Sequence, residues 1–380
     1  MVVIRVLVFT LGLLLVAGVL MSALKTLVLP RPSRSVLTAT AFRLVLAVAE
    51  LAARTRRTYE EQDRIRAVVG PIGLILIVFV WLTTVLAAFG ALFWAVDPTA
   101  GVGAAYHLSG SSITTLGFAP ADGATERTLA FVEAGLGLLL LTLLITYLPS
   151  IYGAFSRREM RVALLAVRAG TPPSATELLE RYRRIDWMER LPGEWLAWEE
   201  WFVDIEESHT TYPVLAFFRS HDPAMSWITA AGAVLDAAAL WVAAVADVPR
   251  APGGIMIRAG TLSLRHIAEF FGIPFDPDPA PTDPISITRE EFDAACEALE
   301  AVGVRLVADR DRAWGDFAGW RVNYDTVLLA IAEMIHAPYA PWTSDRSAPD
   351  HRRHPLARVW TPWWRRSPPE RSLQSDHDES

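Results

Sequence analysis

The sequence predicts a mainly α fold in which transmembrane helices are joined to an all-helical cytoplasmic domain. Of its 380 residues 52% are hydrophobic and 20% are charged, which is too apolar for a typical soluble chain. The longest apolar runs lie within residues 1–155. The remainder carries the capping boxes and the 3.6-residue periodicity that are typical of amphipathic helices. A membrane part followed by a soluble part therefore fits the composition.

Three apolar runs are each long enough to cross a bilayer, which takes about 20 helical residues. Residues 1–29 carry two charges, residues 71–96 carry none, and residues 128–153 carry only Glu133. The first run also has the length of a signal peptide. A retained transmembrane helix is favoured by the basic residues close behind it, which are Lys25, Arg31 and Arg34.

Along the chain, segments rich in basic residues alternate with a segment that has few of them. Residues 30–70 are rich in arginine, residues 97–127 contain one arginine, and residues 156–161 again contain three. Because basic residues stay on the cytoplasmic side, we expect an external N-terminus and residues 97–127 outside. The chain is thus predicted to be a multi-pass protein of the cell membrane with a cytoplasmic C-terminal domain.

Residues 30–70 are expected to form a cytoplasmic linker with an interfacial helix. The apolar segment 36–53 has nearly the length of a span, but Arg43 and Glu50 interrupt it. A charge inside the bilayer is costly, so a helix lying along the cytoplasmic leaflet is favoured over a further crossing.

Residues 156–345 are predicted to form the helical cytoplasmic domain. SATE at 174–177 and TREE at 288–291 are capping boxes, each of which begins a helix. Residues 194–207 form an amphipathic pattern whose apolar face consists of Trp195, Trp198, Phe202 and Ile205.

Three further segments define the organisation of this region. Residues 225–246 are apolar enough for a fourth span, but Asp236 at their centre favours a buried helix of the soluble domain. The proline-rich residues 275–284 form a linker, which in one interpretation divides the domain into two lobes. Residues 346–380 are polar and proline-rich and are predicted to be a disordered tail.

The connection between the second and third runs is not a simple polar loop. Residues 101–114 are mostly small or apolar, and a short helix there would dip back into the membrane. Non-helical backbone at membrane depth is tolerated where protein buries it or where it lines a water-filled path. The residues that follow, 115–118, would be such a backbone.

TTLGF at 114–118 resembles the selectivity filter of potassium channels, whose usual pattern is T-T-V-G-Y-G-D. The order span, re-entrant helix, filter, span is similar to that of two-transmembrane pore-loop potassium channels. The resemblance covers residues 71–155, which would then be the pore domain. It implies that rings of backbone carbonyls replace the water around a permeating ion. It also implies a homotetramer, because each chain supplies one strand of the filter.

The resemblance assigns roles to particular residues. The ion-binding residues would be Thr114, Thr115, Leu116, Gly117, Phe118 and Ala119. Thr115 would supply its hydroxyl and its carbonyl, and Phe118 would pack behind the filter. Glu133 would brace the back of the filter, unless it lies near enough to the outer interface to stay wet. Gly135 and Gly137 would be either a hinge or a site of close packing, and Pro149 would end or kink the span.

The sequence departs from the family pattern just after the filter. Ala119 stands where the second filter glycine is usual, and Pro120 stands where an aspartate is usual. An L-residue in a left-handed conformation costs about 1–2 kcal/mol, and Pro120 biases Ala119 toward extended angles. Strict potassium selectivity is thereby placed in doubt, whereas a cation path is not. Asp122 and Glu126 would concentrate cations at the mouth.

The remaining composition bears on other classes of function. A formal net charge of −7 implies no nucleic-acid surface, and the single cysteine, Cys296, excludes an intrachain disulfide. No nucleophile–base pair or metal-ligand spacing is recognisable, so we expect no enzyme, no cofactor and no metal beyond a permeant monovalent cation. No regulatory ligand is indicated. Two alternatives stay open, a non-conducting membrane scaffold or sensor and a membrane-anchored enzyme housed in 154–345.

Overall fold

The computed structural model describes residues 2–28 and 36–346, and the predicted tail at 346–380 lies outside them except for its first residue. Within these ranges the secondary structure is helical apart from one isolated β-bridge between Val245 and Leu306. The helices, in chain order, are α1 Val2–Ala23, α2 Val36–Ala53, α3 Tyr59–Ala67, α4 Val69–Val96, α5 Gly101–Ile113, α6 Ala124–Ala169, α7 Ala175–Arg184, α8 Leu191–Thr211, α9 Trp227–Ala244, α10 Arg250–Phe271, α11 Arg289–Ala301, α12 Arg310–Arg321 and α13 Asp325–Met334. A π-helical turn, Leu24–Val28, extends α1.

Four of the described helices are long and apolar enough to cross a membrane, namely α1, α4, α6 and α9. Three of them coincide with the predicted spans, and they expose much of their apolar surface. The fourth, α9, differs because every one of its residues is buried within the chain. It therefore contacts protein on all sides, which is the environment expected for a core helix. The segment 36–53 is a helix, α2, and is not among the four.

The N-terminal half is built around α4, against which α1, α2, α5 and α6 all pack. Arg5 on α1 donates two hydrogen bonds of 2.8 Å to the carbonyls of Ala95 and Val96. These carbonyls belong to the last turn of α4, where four acceptors lack an intrahelical partner and the helix dipole is negative. At the other end of the pair, the Trp81 indole donates to the Ser22 hydroxyl over 3.0 Å. Polar contacts thus fix α1 to α4 at both ends.

Helix α6 runs for 46 residues, which corresponds to about 69 Å at 1.5 Å per residue. Of the two effects predicted for Pro149, an end of the helix does not occur, because α6 continues through Pro149 to Ala169. The helix does not end there because a proline removes a single intrahelical hydrogen bond, and packing on both sides of it holds the chain in place. The predicted boundary at 155–156 consequently falls inside α6, and the end of this helix is part of the C-terminal domain.

The C-terminal domain has a single hydrophobic core around α9. Val162 and Leu165 of α6 join it, together with side chains from α7 to α13. The core continues on both sides of residues 275–284. The predicted apolar face of α8 is buried, as are the tryptophans Trp195, Trp227 and Trp241. The capping box at 288–291 is complete, whereas Ser174 caps α7 while the Glu177 carboxylate pairs with Arg181 instead.

Asp236, which interrupts the apolar run of α9, has a buried partner. The Arg321 guanidinium contacts the carboxylates of Asp236 and Asp325, and the Tyr324 hydroxyl donates to Asp236 over 2.9 Å. Burial lowers the pKa of Arg321, but the two neighbouring carboxylates outweigh this and raise its pKa above the ordinary arginine value. The arginine is therefore always charged, and the apolar core of the domain is built around an ion cluster.

Removing the arginine should unfold this domain. We expect Arg321→Met to lower the free energy of unfolding by about 3–5 kcal/mol, since it leaves two buried carboxylates without a cation. Arg312→Met is the matched control, because Arg312 lies on the same helix and faces Asp316 across 3.9 Å at the surface, where such a pair contributes about 0–1 kcal/mol. Thermal unfolding of the full chain in detergent, followed by circular dichroism, compares the two. Equal losses would contradict the assignment.

Candidate functional site

A short helix and an irregular segment connect α4 to α6. Helix α5 has 13 residues and is about 20 Å long, too short for a hydrocarbon core of about 30 Å. It packs against both α4 and α6. Residues 114–118 follow its last turn directly and are all exposed in the single chain. The segment thus lies beside two apolar helices without forming a helix of its own.

The N–H groups of this segment point back to the end of α5. Those of Thr115, Leu116 and Gly117 donate to carbonyls at positions 111 and 112, over 3.0, 3.1 and 3.4 Å. The N–H of Ala119 donates to the Ser111 hydroxyl over 3.0 Å. Ser111 therefore accepts three hydrogen bonds through its two oxygen atoms, and it anchors the segment.

The carbonyl groups of the same residues behave differently. Among residues 2–28 and 36–346, no donor is paired with the backbone carbonyl of any residue in 114–118. An unpaired carbonyl row is unfavourable in an apolar environment, unless water or a cation fills its coordination. The carbonyl oxygens of several consecutive residues are therefore left available to water or to a cation.

Two residues of the segment have positive φ, Thr115 at +55° and Gly117 at +70°. Glycine adopts this conformation without steric cost, and a Cβ at Gly117 would meet open space. Threonine adopts it at a cost of about 1–2 kcal/mol. Ala119 is not among the described residues with positive φ, so the expected left-handed strain does not arise at that position. The strained non-glycine residue is Thr115.

Glu133 of α6 is fully buried and faces α5. Its Oε1 lies 2.5 Å from the Ser109 hydroxyl, which also lies 2.9 Å from the Leu86 carbonyl of α4. The other oxygen, Oε2, has no hydrogen-bond partner in the described part of the chain. Through Ser109, α5 is thus connected to Leu86 of α4 and to Glu133 of α6. Ser109 lies about half a helical turn before Ser111, which anchors the segment.

Of the two glycines on α6, one permits a close approach. A Cβ on Gly137 would lie 2.7 Å from the carbonyl oxygen of Ile113, the last residue of α5. A Cβ on Gly135 would meet nothing within 4 Å. Gly137 therefore serves close packing at the point where α5 ends and the segment begins.

The two large apolar side chains of the segment remain at the surface. Leu116 is 68% exposed. The ring centroid of Phe118 lies 4.7 Å from that of His107, which belongs to α5. Phe118 thus packs beside α5. Asp122 is exposed, and Glu126 accepts the Gly123 N–H over 3.1 Å at the start of α6.

A second polar cluster joins α6 to the C-terminal domain. The buried Arg158 guanidinium donates to the carbonyls of Leu215 and Phe218 over 2.7 and 2.8 Å and lies 3.2 Å from His209 Nε2. Phe218 in turn packs against Gly70 at the start of α4. Segment 213–218 therefore contacts both long helices of the membrane part.

His209 is neutral in this cluster. Its burial, and then the charge of Arg158, hold the pKa of the imidazole well below its ordinary value of 6.5. The sequence indicated neither role: Arg158 was one of several basic residues after a span, and His209 had no neighbours with metal spacing. Arg158 and His209 are 51 positions apart in the sequence, so no local pattern indicates that they pair.

No family model, no curated protein and no solved structure matches this chain. The geometry of the segment and of the helices around it is therefore the basis for assigning a function. That geometry consists of a short helix between two long ones and a segment whose N–H groups donate to the end of α5 while its carbonyls have no donor among the described residues.

Filling the space at Gly137 should displace α5 from α6. We expect Gly137→Ala to destabilise the chain by about 1–3 kcal/mol, because the new methyl group meets a backbone oxygen that cannot rotate away. Gly135→Ala, two residues away on the same helix, should be neutral or stabilising by about 0.5–1 kcal/mol. Thermal melting of both variants in detergent is the measurement, and a lower stability of Gly135→Ala than of Gly137→Ala would contradict this packing.

The neutral His209 should make stability fall in mild acid. The unfolded histidine binds a proton below pH 6.5 and the folded one does not, so the free energy of unfolding decreases as the pH falls below about 6.5. The slope from this group is at most about 1.4 kcal/mol per pH unit. His209→Gln should remove that slope, whereas His221→Gln at the surface should keep it. Denaturant unfolding at a series of pH values tests this, and identical profiles for wild type and His209→Gln would refute it.

Proposed function

We propose that this chain is the pore-forming subunit of a tetrameric cation channel and that ions pass along the carbonyls of residues 114–118. The observation that carries the proposal is the row of exposed, unpaired carbonyls between two helices that are able to span a membrane. A channel supplies what those oxygens lack, because a dehydrated cation completes their coordination.

The proposal requires several copies around one axis. A single chain presents one row of oxygens, whereas an ion that loses its water needs oxygens on all sides. Four copies related by closed cyclic symmetry would place four rows around the path. The exposure of Leu116 and Phe118 fits such an assembly, because neighbouring copies would cover apolar side chains that one chain leaves open.

The other parts take supporting roles. Ser111 holds N–H groups of the segment, which would leave the carbonyls free for the ion. Glu133 and Ser109 fix α5 between α4 and α6, which keeps the row in place. Helices α7 to α13 would lie in the cytoplasm by the distribution of basic residues, and Arg158 would transmit movements of that domain to α6.

The ion preference depends on the outer end of the row. The Ala119 N–H donates to the Ser111 hydroxyl, and Pro120 has no N–H that needs an acceptor. Because Ala119 does not have a positive φ, the backbone after Phe118 does not require a second glycine. We expect potassium to permeate, with weaker discrimination against sodium than a filter with two glycines provides.

Reconstitution into planar bilayers tests the proposal. With potassium on one side and sodium on the other, the reversal potential should lie between zero and the potassium equilibrium potential. Gly117→Ala should abolish the current, because alanine at a φ of +70° costs about 1–2 kcal/mol and turns the neighbouring carbonyls. Thr115→Ala should reduce it, since it removes a hydroxyl beside the row.

Thr128→Ala is the matched control, because Thr128 is an exposed threonine on α6 away from the segment. It should conduct as the wild type does. Undiminished current in Gly117→Ala would show that ions do not use the carbonyl row. The complete lack of current in both wild type and Ala119→Gly would favour the non-conducting scaffold.

A further inference from the structure

The cytoplasmic end of α6 exposes large apolar side chains. Met160 is 58% exposed, Leu164 is 41% exposed and Val167 is 74% exposed. They follow Pro149, which lies near the predicted cytoplasmic face, by 11 to 18 residues. At 1.5 Å per residue, Val167 lies roughly 27 Å beyond Pro149, whereas a headgroup layer is only about 5–8 Å deep. Lipid therefore does not cover this surface.

Met160 and Val167 belong to one stripe of α6, and Leu164 lies beside it. Positions 156, 160, 163 and 167 alternate in steps of four and three, which places Ser156, Met160, Ala163 and Val167 on one side of the helix. The opposite side carries the residues buried in the domain of the same chain, which are Arg158, Val162, Leu165 and Ala169. The helix is thus packed on one side and open on the other.

Three charged residues beside the stripe are paired within the chain, whereas Arg161 forms no ion pair among the described residues. Arg157 pairs with Asp204 over 2.9 Å, Glu159 pairs with Arg158, and Arg168 pairs with Glu194 over 2.6 Å. None of these charged residues occupies a stripe position. An uncharged seam whose flanking charges are mostly paired within the chain meets little like-charge repulsion from an identical seam.

The stripe also continues into the membrane part. The same alternation of steps leads back through Gly153, Pro149 and Thr146 to Thr142, and the two threonines are exposed there. Helix α6 is unbroken over this distance. One face of one helix therefore passes from the proposed pore to the cytoplasm.

We propose that the stripe of Ser156, Met160, Ala163 and Val167 packs against the same stripe of other copies, forming a parallel bundle of α6 helices below the pore. This inference rests on the proposed tetramer. A heptad seam in water needs a partner with the same spacing, and a second copy offers it in the same register. The bundle holds the copies together outside the membrane, independently of the filter segment.

Single cysteines test the bundle in the full chain. The one native cysteine, Cys296, is buried, and burial raises the pKa of its thiol to about 11, so it does not react. Met160→Cys and Val167→Cys, each treated in membranes with a bismaleimide that spans about 8–10 Å, the usual distance between packed helices, should give cross-linked dimers, because one reactive thiol per chain links two chains. Ile255→Cys on α10 is equally exposed, at 55%, and should stay monomeric.

The possible outcomes separate this inference from the channel itself. A four-chain complex by native mass spectrometry without cross-links at 160 or 167 would overturn the bundle and leave the channel proposal intact. Cross-linked dimers without ion current would support the bundle and count against the channel. If cross-links at Met160→Cys appear only after deletion of residues 347–380, the tail and not a second copy occupies the stripe, and the inference fails.

Discussion

Backbone that leaves a helix must still satisfy its N–H and C=O groups, and the segment after α5 does so within the chain for its N–H groups alone. The oxygens of Ser111, with the carbonyl of Ser112, take the N–H groups, so the carbonyls have no internal partner left. Neither a helix nor a strand would leave this asymmetry, since each uses both groups of every residue. The surrounding contacts, from Glu133 to Gly137, keep α5 where this donation is possible. Water, or the cation of the proposed function, would complete the coordination of these oxygens.

The length of α6 ties that segment to the rest of the molecule. One continuous helix touches the end of α5 at Gly137, passes through Pro149 and enters the core of the C-terminal domain at Val162. Arg158 lies between these regions, with its guanidinium held by two carbonyls from segment 213–218. Because a buried charge with several partners moves only together with them, a rotation of α6 has to move that segment as well. On the proposed function, this contact is where the domain would act on the pore.

Much of the fold could be predicted from the sequence, because the signals were local. Long uncharged runs mark the helices α1, α4 and α6, and the spacing of four aromatic and aliphatic residues marks the buried face of α8. What could not be predicted are contacts between distant positions. Nothing near Asp236 indicates Arg321, and nothing near Arg158 indicates His209. The motif at 114–118 suggested which residues would form the site, but the direction of their hydrogen bonds depends on the end of α5 and on how Gly137 lets it approach α6.

The departures at Ala119 and Pro120 also take on a different meaning in this geometry. If the segment were held by its own glycines, losing the second one would strain it by about 1–2 kcal/mol. The segment is held instead by α5, where the Ser111 hydroxyl accepts the Ala119 N–H. The positive φ that a second glycine would supply is found earlier, at Thr115. An L-residue at position 119 is then compatible with the hydrogen bond to Ser111, and Pro120 favours extended backbone before it, which an alanine adopts without strain. On the proposed function, Ser111 is therefore the residue that permits an alanine at this position of the filter.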